Sequence, residues 1–157
     1  MKWSKLRIRS KENLCDSLKE RLDFHVARYR KSHDGDYRRG WISNDGEQLA
    51  SWSCFEQLLS GNLISTDGLN RPNPNSWSGE EYNQLMAEIG VYSGTEFMNL
   101  LFEYLSLSPH DALKSKIPLL RALAIAERRI GKRTLSTFEI CNEEDPLVLA
   151  LYHLRLN

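Results

Sequence analysis

The sequence predicts an α+β fold, with an N-terminal helix, a three-stranded antiparallel β-meander and a C-terminal helical part packed on the sheet. Three observations predict it. Apolar residues recur every three or four positions near the start, and they alternate with polar residues from about residue 21 to 53. After residue 77, serine–glutamate pairs spaced as capping boxes precede helical apolar stripes.

Trp3, Leu6, Ser10, Leu14 and Leu18 place one amphipathic helix over residues 3 to about 17. Lys2, Lys5 and Arg7 in its first turns have the wrong sign for the helix dipole, which is tolerated where the charges are solvated or meet an anion. From Arg21 the period is two. Leu22, Phe24 and Val26 alternate with Asp23, His25 and Ala27, so a half-buried strand runs to about Arg30. His33-Asp34-Gly35-Asp36 supplies a turn, a second strand covers Tyr37 to Ser43, and Asn44-Asp45-Gly46 makes a tight turn into a third, Gln48 to Ser53.

A short helix is expected at Cys54 to Leu59, and residues 61–77, rich in Gly, Asn, Ser and Pro, read as a long loop. The helical part is 78–157. Ser78 and Glu81 precede one helix, and Ser93 and Glu96 precede another whose stripe is Phe97, Leu100, Leu101, Tyr104 and Leu105. Ser108-Pro109 opens a short helix. Ile117 to Ile130 is apolar on most faces and predicts a central buried helix ended by Gly131. Asp145-Pro146 opens the last, through Leu154. At 157 residues the chain has the length of a single domain, 1–157.

Composition narrows the class. The 41% hydrophobic and 27% charged content is that of a globular domain. Cys15, Cys54 and Cys141 are odd in number and widely spaced, so they suggest neither a disulfide framework nor zinc spacing. The start lacks the apolar core of a signal peptide, and Pro118 and Arg121 interrupt the most apolar stretch. A soluble, cytoplasmic protein with no membrane partner is expected. The net charge is zero but unevenly spread: residues 1–40 hold 12 Lys/Arg against 6 Asp/Glu, whereas 44–111 hold 1 against 10. Such asymmetry suits either an anionic partner or packing of the acidic middle beside the basic ends.

Lys2-Trp3-Ser4-Lys5-Leu6, Arg28-Tyr29-Arg30 followed by His33-Asp34-Gly35 and Trp41, and Arg128-Arg129-x-Gly131-Lys132-Arg133-x-Leu135 together resemble a family of small bacterial proteins of uncharacterised function. The likeness covers most of residues 1–55 and 93–157. It implies a bacterial source and brings no established activity.

The residues with most chemical promise are those of the first hairpin: Arg28, Arg30, His33, Asp34, Arg38, Arg39 and Trp41, with Tyr29 and Tyr37. Arg28 and Arg30 extend the Leu22-Phe24-Val26 face beyond the core edge. Guanidinium forks suit phosphate or carboxylate, and the aromatics suit stacking on bases. The plainer reading is a solvated or internally paired surface. His33, Asp34 and Asp36 lack a second ligand cluster, so no metal or other cofactor is expected. No nucleophile elbow, Walker loop, dinucleotide fingerprint or zincin motif occurs. Arg128, Arg129, Lys132 and Arg133 form a second basic cluster, which the sequence puts at a helix C-terminus.

The expected function is therefore a non-enzymatic binding or interaction protein using the basic hairpin, with a protein or another anionic molecule as partner. A nucleic-acid-binding protein using the same residues is the alternative, and an enzyme centred on His33 and Asp34 the third. The first two require that the guanidinium groups of Arg28, Arg30, Arg38 and Arg39 stay unclaimed by the chain's own carboxylates.

Overall fold

A computed structural model describes residues 2–28, 38–53, 84, 87–88, 90 and 92–157. Helix α1 spans Trp3–Asn13, with Leu6 and Ser10 buried and Trp3 packed on the core. It stops four residues earlier than the sequence predicts. Leu14 turns extended and bridges Glu127, the Cys15 amide donates to the Ala126 carbonyl at 2.9 Å, and the Arg128 amide donates to Asn13 at 2.9 Å. These cross-chain bonds take backbone groups that a continuous helix would have used. A single turn, α2 (Asp16–Lys19), follows and buries Leu18.

Strands β1 (Leu22–Arg28), β2 (Arg38–Asn44) and β3 (Glu47–Ser53) form the expected antiparallel meander in the order β1-β2-β3. Asp45 and Gly46 join β2 to β3 with φ of 51° and 86°, the paired left-handed conformation of a type I′ turn. Ile42 pairs with Ala50 but Ser43 with Gln48, so Leu49 is the extra residue of a bulge. The inner face carries Leu22, Phe24, Ile42 and Trp52, all buried.

Helix α3 (Gly94–Tyr104) lies across this face, opened by the expected capping box: Glu96 N–H donates to Ser93 Oγ at 3.1 Å, and Ser93 N–H to Glu96 Oε2 at 2.6 Å. Phe97 stacks on Trp52 with centroids 5.0 Å apart, and Trp52 Nε1 donates to the Gly90 carbonyl at 3.0 Å. Gly40 makes the contact possible, because a Cβ there would lie 2.3 Å from Phe97 Cδ1. Gly94 plays the same part at the helix start, where a Cβ would meet the Arg38 backbone at 2.5 Å. The Ser78/Glu81 box, the Cys54–Leu59 helix and the 61–77 loop lie outside the described residues.

Helix α4 (Pro109–Leu113) starts at Ser108 as expected. The central helix α5 (Pro118–Ala126) is buried except at Arg121. It ends at Ala126, not at Gly131, because Glu127 is drawn into the bridge with Leu14. Gly131 instead precedes a short helix α6 (Lys132–Ser136). After a 3-10 turn at Ile140–Asn142, Asp145 caps α7 (Pro146–Leu156), its carboxylate accepting from Leu147 and Val148 amides at 3.0 and 3.1 Å. α7 packs on α5 and touches β3, so the helical half and the sheet share one apolar cluster.

Candidate functional site

Alternation along β1 and β2 decides where the hairpin side chains go. Leu22 and Phe24 are buried, Val26 is half-buried and Arg28 emerges exposed at the end of that same face. The register sets Arg38 directly opposite Arg28, and Arg39 opposite Ala27. Opposed residues share a face. Arg28 and Arg38 therefore stand together on the inner side at the hairpin's open end, while Arg39 and Trp41 stand on the outer side.

On the outer side, the His25 and Trp41 rings stack with centroids 4.8 Å apart and planes 10° from parallel. The Arg39 guanidinium carbon lies 5.5 Å from the Trp41 ring centroid, within the range of a cation–π contact. Arg39 Nη2 donates to the side-chain oxygen of Gln48, and a 2.8 Å hydrogen bond joins His25 Nε2 and Ser43 Oγ. Arg39, Trp41 and His25 are all half-exposed. The partners of Arg39 are neutral, and no carboxylate among the described residues pairs with it, so its charge is not cancelled locally. Farther along the same face, Asp23 is taken by Arg7 and, at 3.8 Å, by Lys11. Burial pushes the Asp23 carboxyl up, but the Arg7, Phe24 and Lys11 contacts together hold it below its ordinary range.

On the inner side, Arg38 Nη1 donates to Met98 Sδ of α3 at 3.5 Å. Arg28 and Arg38 each interact with another group of the chain, so neither is a free cation. The requirement of unclaimed guanidinium groups thus holds for Arg39 alone of the three described arginines. Arg30, His33 and Asp34, with Tyr29 and Tyr37, lie outside the described residues.

The second basic cluster needs correction. Because α5 ends at Ala126, Arg128 and Arg129 are not in a helical last turn, and Lys132 and Arg133 occupy the first turn of α6, where the dipole disfavours them. Arg129 has a different role: it pairs with Glu127, a carboxylate only 1% exposed that also accepts the Tyr104 hydroxyl hydrogen bond. Burial foremost, with the Glu127 contact, pushes the Tyr104 phenol far above its ordinary range. Sequence reading missed this triad, although Glu127 is the one acid among the 7 Lys/Arg of residues 112–135.

A second buried pair was also missed. Arg121 donates to both Glu143 oxygens at 2.8 and 2.9 Å and to the Ser115 and Lys116 carbonyls at 2.8 Å. Beside it an open hollow of about 470 Å³ is lined by Glu88, Glu143, Glu144 and Asp145. Burial raises the Asp145 carboxyl above its ordinary range. Among the described residues, no three His, Cys, Asp or Glu side chains gather to hold a metal, and no helix is long and apolar enough to cross a membrane.

Compared with known proteins, residues 2–156 match the SF0329 protein family, whose function is uncharacterised. No curated protein and no solved structure matches the chain.

Proposed function

Because the chain belongs to the SF0329 protein family, whose name carries no activity, we propose from its geometry that it is a non-enzymatic binding protein contacting an anionic partner through the β1–β2 hairpin. The observation that carries this reading is Arg39, a guanidinium held by neutral groups beside the half-exposed Trp41 ring. A guanidinium fixed over an aromatic ring keeps its outward donors for a carboxylate or phosphate and loses little freedom on binding. The His25 stack fixes the same ring from the neighbouring strand. Arg28 and Arg38 add positive charge at the hairpin's end, and Arg30, His33 and Asp34 belong to the proposed surface by sequence.

Nucleic acid is the second reading. An aromatic ring beside cations on a sheet face suits a stacked base with its phosphate nearby. Anisotropy titrations with a labelled polyglutamate peptide and a labelled single-stranded RNA, each at about 50 and 200 mM salt, test both. Peptide binding weakened about fivefold by Arg39→Gln supports the first reading. RNA binding with a log K against log salt slope of about −0.7 per phosphate contact supports the second. Absence of binding to either probe at low salt overturns both.

A further inference from the structure

We infer that the flank of α3 beside Arg38 is a docking site for an acidic amphipathic helix of a partner protein. This surface is distinct from the outer hairpin face and does not depend on it. Phe97, Leu100, Leu101 and Tyr104 turn α3 toward the core. Met98, Phe102 and Leu105, at i, i+4 and i+7, form a neighbouring stripe. Met98 and Leu105 are half-buried, but Phe102 is 50% exposed, one of the two large apolar side chains so exposed among the described residues. The other, Ile8, is flanked on α1 by Arg7 and Arg9, and single exposed apolar residues are ordinary. Phe102 differs because it continues a stripe.

The stripe has a charged end. Arg38 contacts Met98, its first residue, and Arg28 faces Arg38 across the strand pair. Two like charges directly opposed cost the sheet up to about 1 kcal/mol. An incoming carboxylate offsets that cost, whatever internal contacts each arginine keeps. The apolar stripe covers two helical turns, about 10 Å, which matches the apolar face of a docked helix with anchors at the same spacing. Polarity is also set. Glu103 adjoins Phe102 and repels acid there, so the partner's carboxylates must sit at the Arg28/Arg38 end. The juxtaposition favours a protein segment over nucleic acid, whose uniform charge would meet both Glu103 and the apolar stripe.

The test uses a labelled synthetic peptide with Leu at i, i+4 and i+7 and glutamates clustered at one end, and a scrambled peptide of identical composition. The amphipathic peptide is expected to bind the full chain at least tenfold more tightly than the scrambled one. Phe102→Ser, at an exposed site, should weaken it about tenfold, and Arg38→Gln should weaken it while flattening its salt dependence. Trp41→Leu should leave it unchanged, which separates this site from the outer hairpin face. Equal binding of the two peptides, or no effect of Phe102→Ser, overturns the inference. So does a concentration-dependent dimer abolished by Phe102→Ser, which would assign the flank to a second copy of the chain.

Discussion

The Tyr104 hydroxyl donates to the buried Glu127 carboxylate, and the half-exposed Arg129 guanidinium pairs with that same carboxylate. Glu127 is thereby affordable inside an otherwise apolar region, and its backbone is free to bridge Leu14 and join the N-terminal segment to the helical half. Removing the phenol leaves a buried charge one donor short. Tyr104→Phe should cost about 1–3 kcal/mol in urea unfolding, whereas Tyr152→Phe, whose hydroxyl reaches Leu135 O at 3.5 Å, should cost much less. Equal losses for the two would show that Glu127 does not need Tyr104.

Close approach of sheet and helix makes two glycines sensitive. Gly40→Ala and Gly94→Ala drive a methyl into Phe97 and into the Arg38 backbone, and each should lose about 1–3 kcal/mol. Gly131 has open space around its Cβ position and precedes α6, so Gly131→Ser should be neutral or stabilise slightly as an N-cap. Thermal melts of the three variants, run together, check the ranking.

Acid should destabilise the protein through named carboxylates. Burial raises both Asp23 and Glu143, but their arginine partners and backbone donors outweigh it and hold both below the ordinary range. Their stabilisation is full above the unfolded-state pKa of about 4 and is lost as pH falls through the lower folded values. Asp145, raised by burial, works the other way: its cost at neutral pH is relieved as pH falls through its raised folded value. The net expectation is falling urea midpoints between about pH 5 and 2, with a shallower fall in Asp23→Asn and in Glu143→Gln. A steeper fall in either variant would contradict the assignment.

Arg121 crosses from α5 to the segment before α7 in a geometry that leaves its partner dependent on it. Arg121→Met strands the mostly buried Glu143 carboxylate and should cost about 3–5 kcal/mol. The double variant Arg121→Met/Glu143→Leu should recover much of that loss. A double variant no better than the single one would mean that the packing, not the stranded charge, dominates.

Much of the architecture was legible because it is local. Strand alternation, the Asp45-Gly46 turn and the Ser93/Glu96 box each depend on residues a few positions apart. The helix ends were not, since Leu14 and Glu127 stop their helices by pairing with each other across more than a hundred residues. The hairpin surface was half legible. Periodicity put Arg28 past the core edge, but which neutral group holds Arg39, and that Met98 meets Arg38, depend on the bulge at Leu49 and on how α3 crosses the sheet. Residues 29–37, which carry Arg30, His33 and Asp34, lie outside the description.

The most direct measurement is anisotropy of the labelled polyglutamate peptide against the full chain, Arg39→Gln and Trp41→Leu, with folding verified by circular dichroism. Both variants are expected to remain folded and to bind about fivefold more weakly. Undiminished binding by both folded variants would show that the outer hairpin face is not where this protein meets an anionic partner.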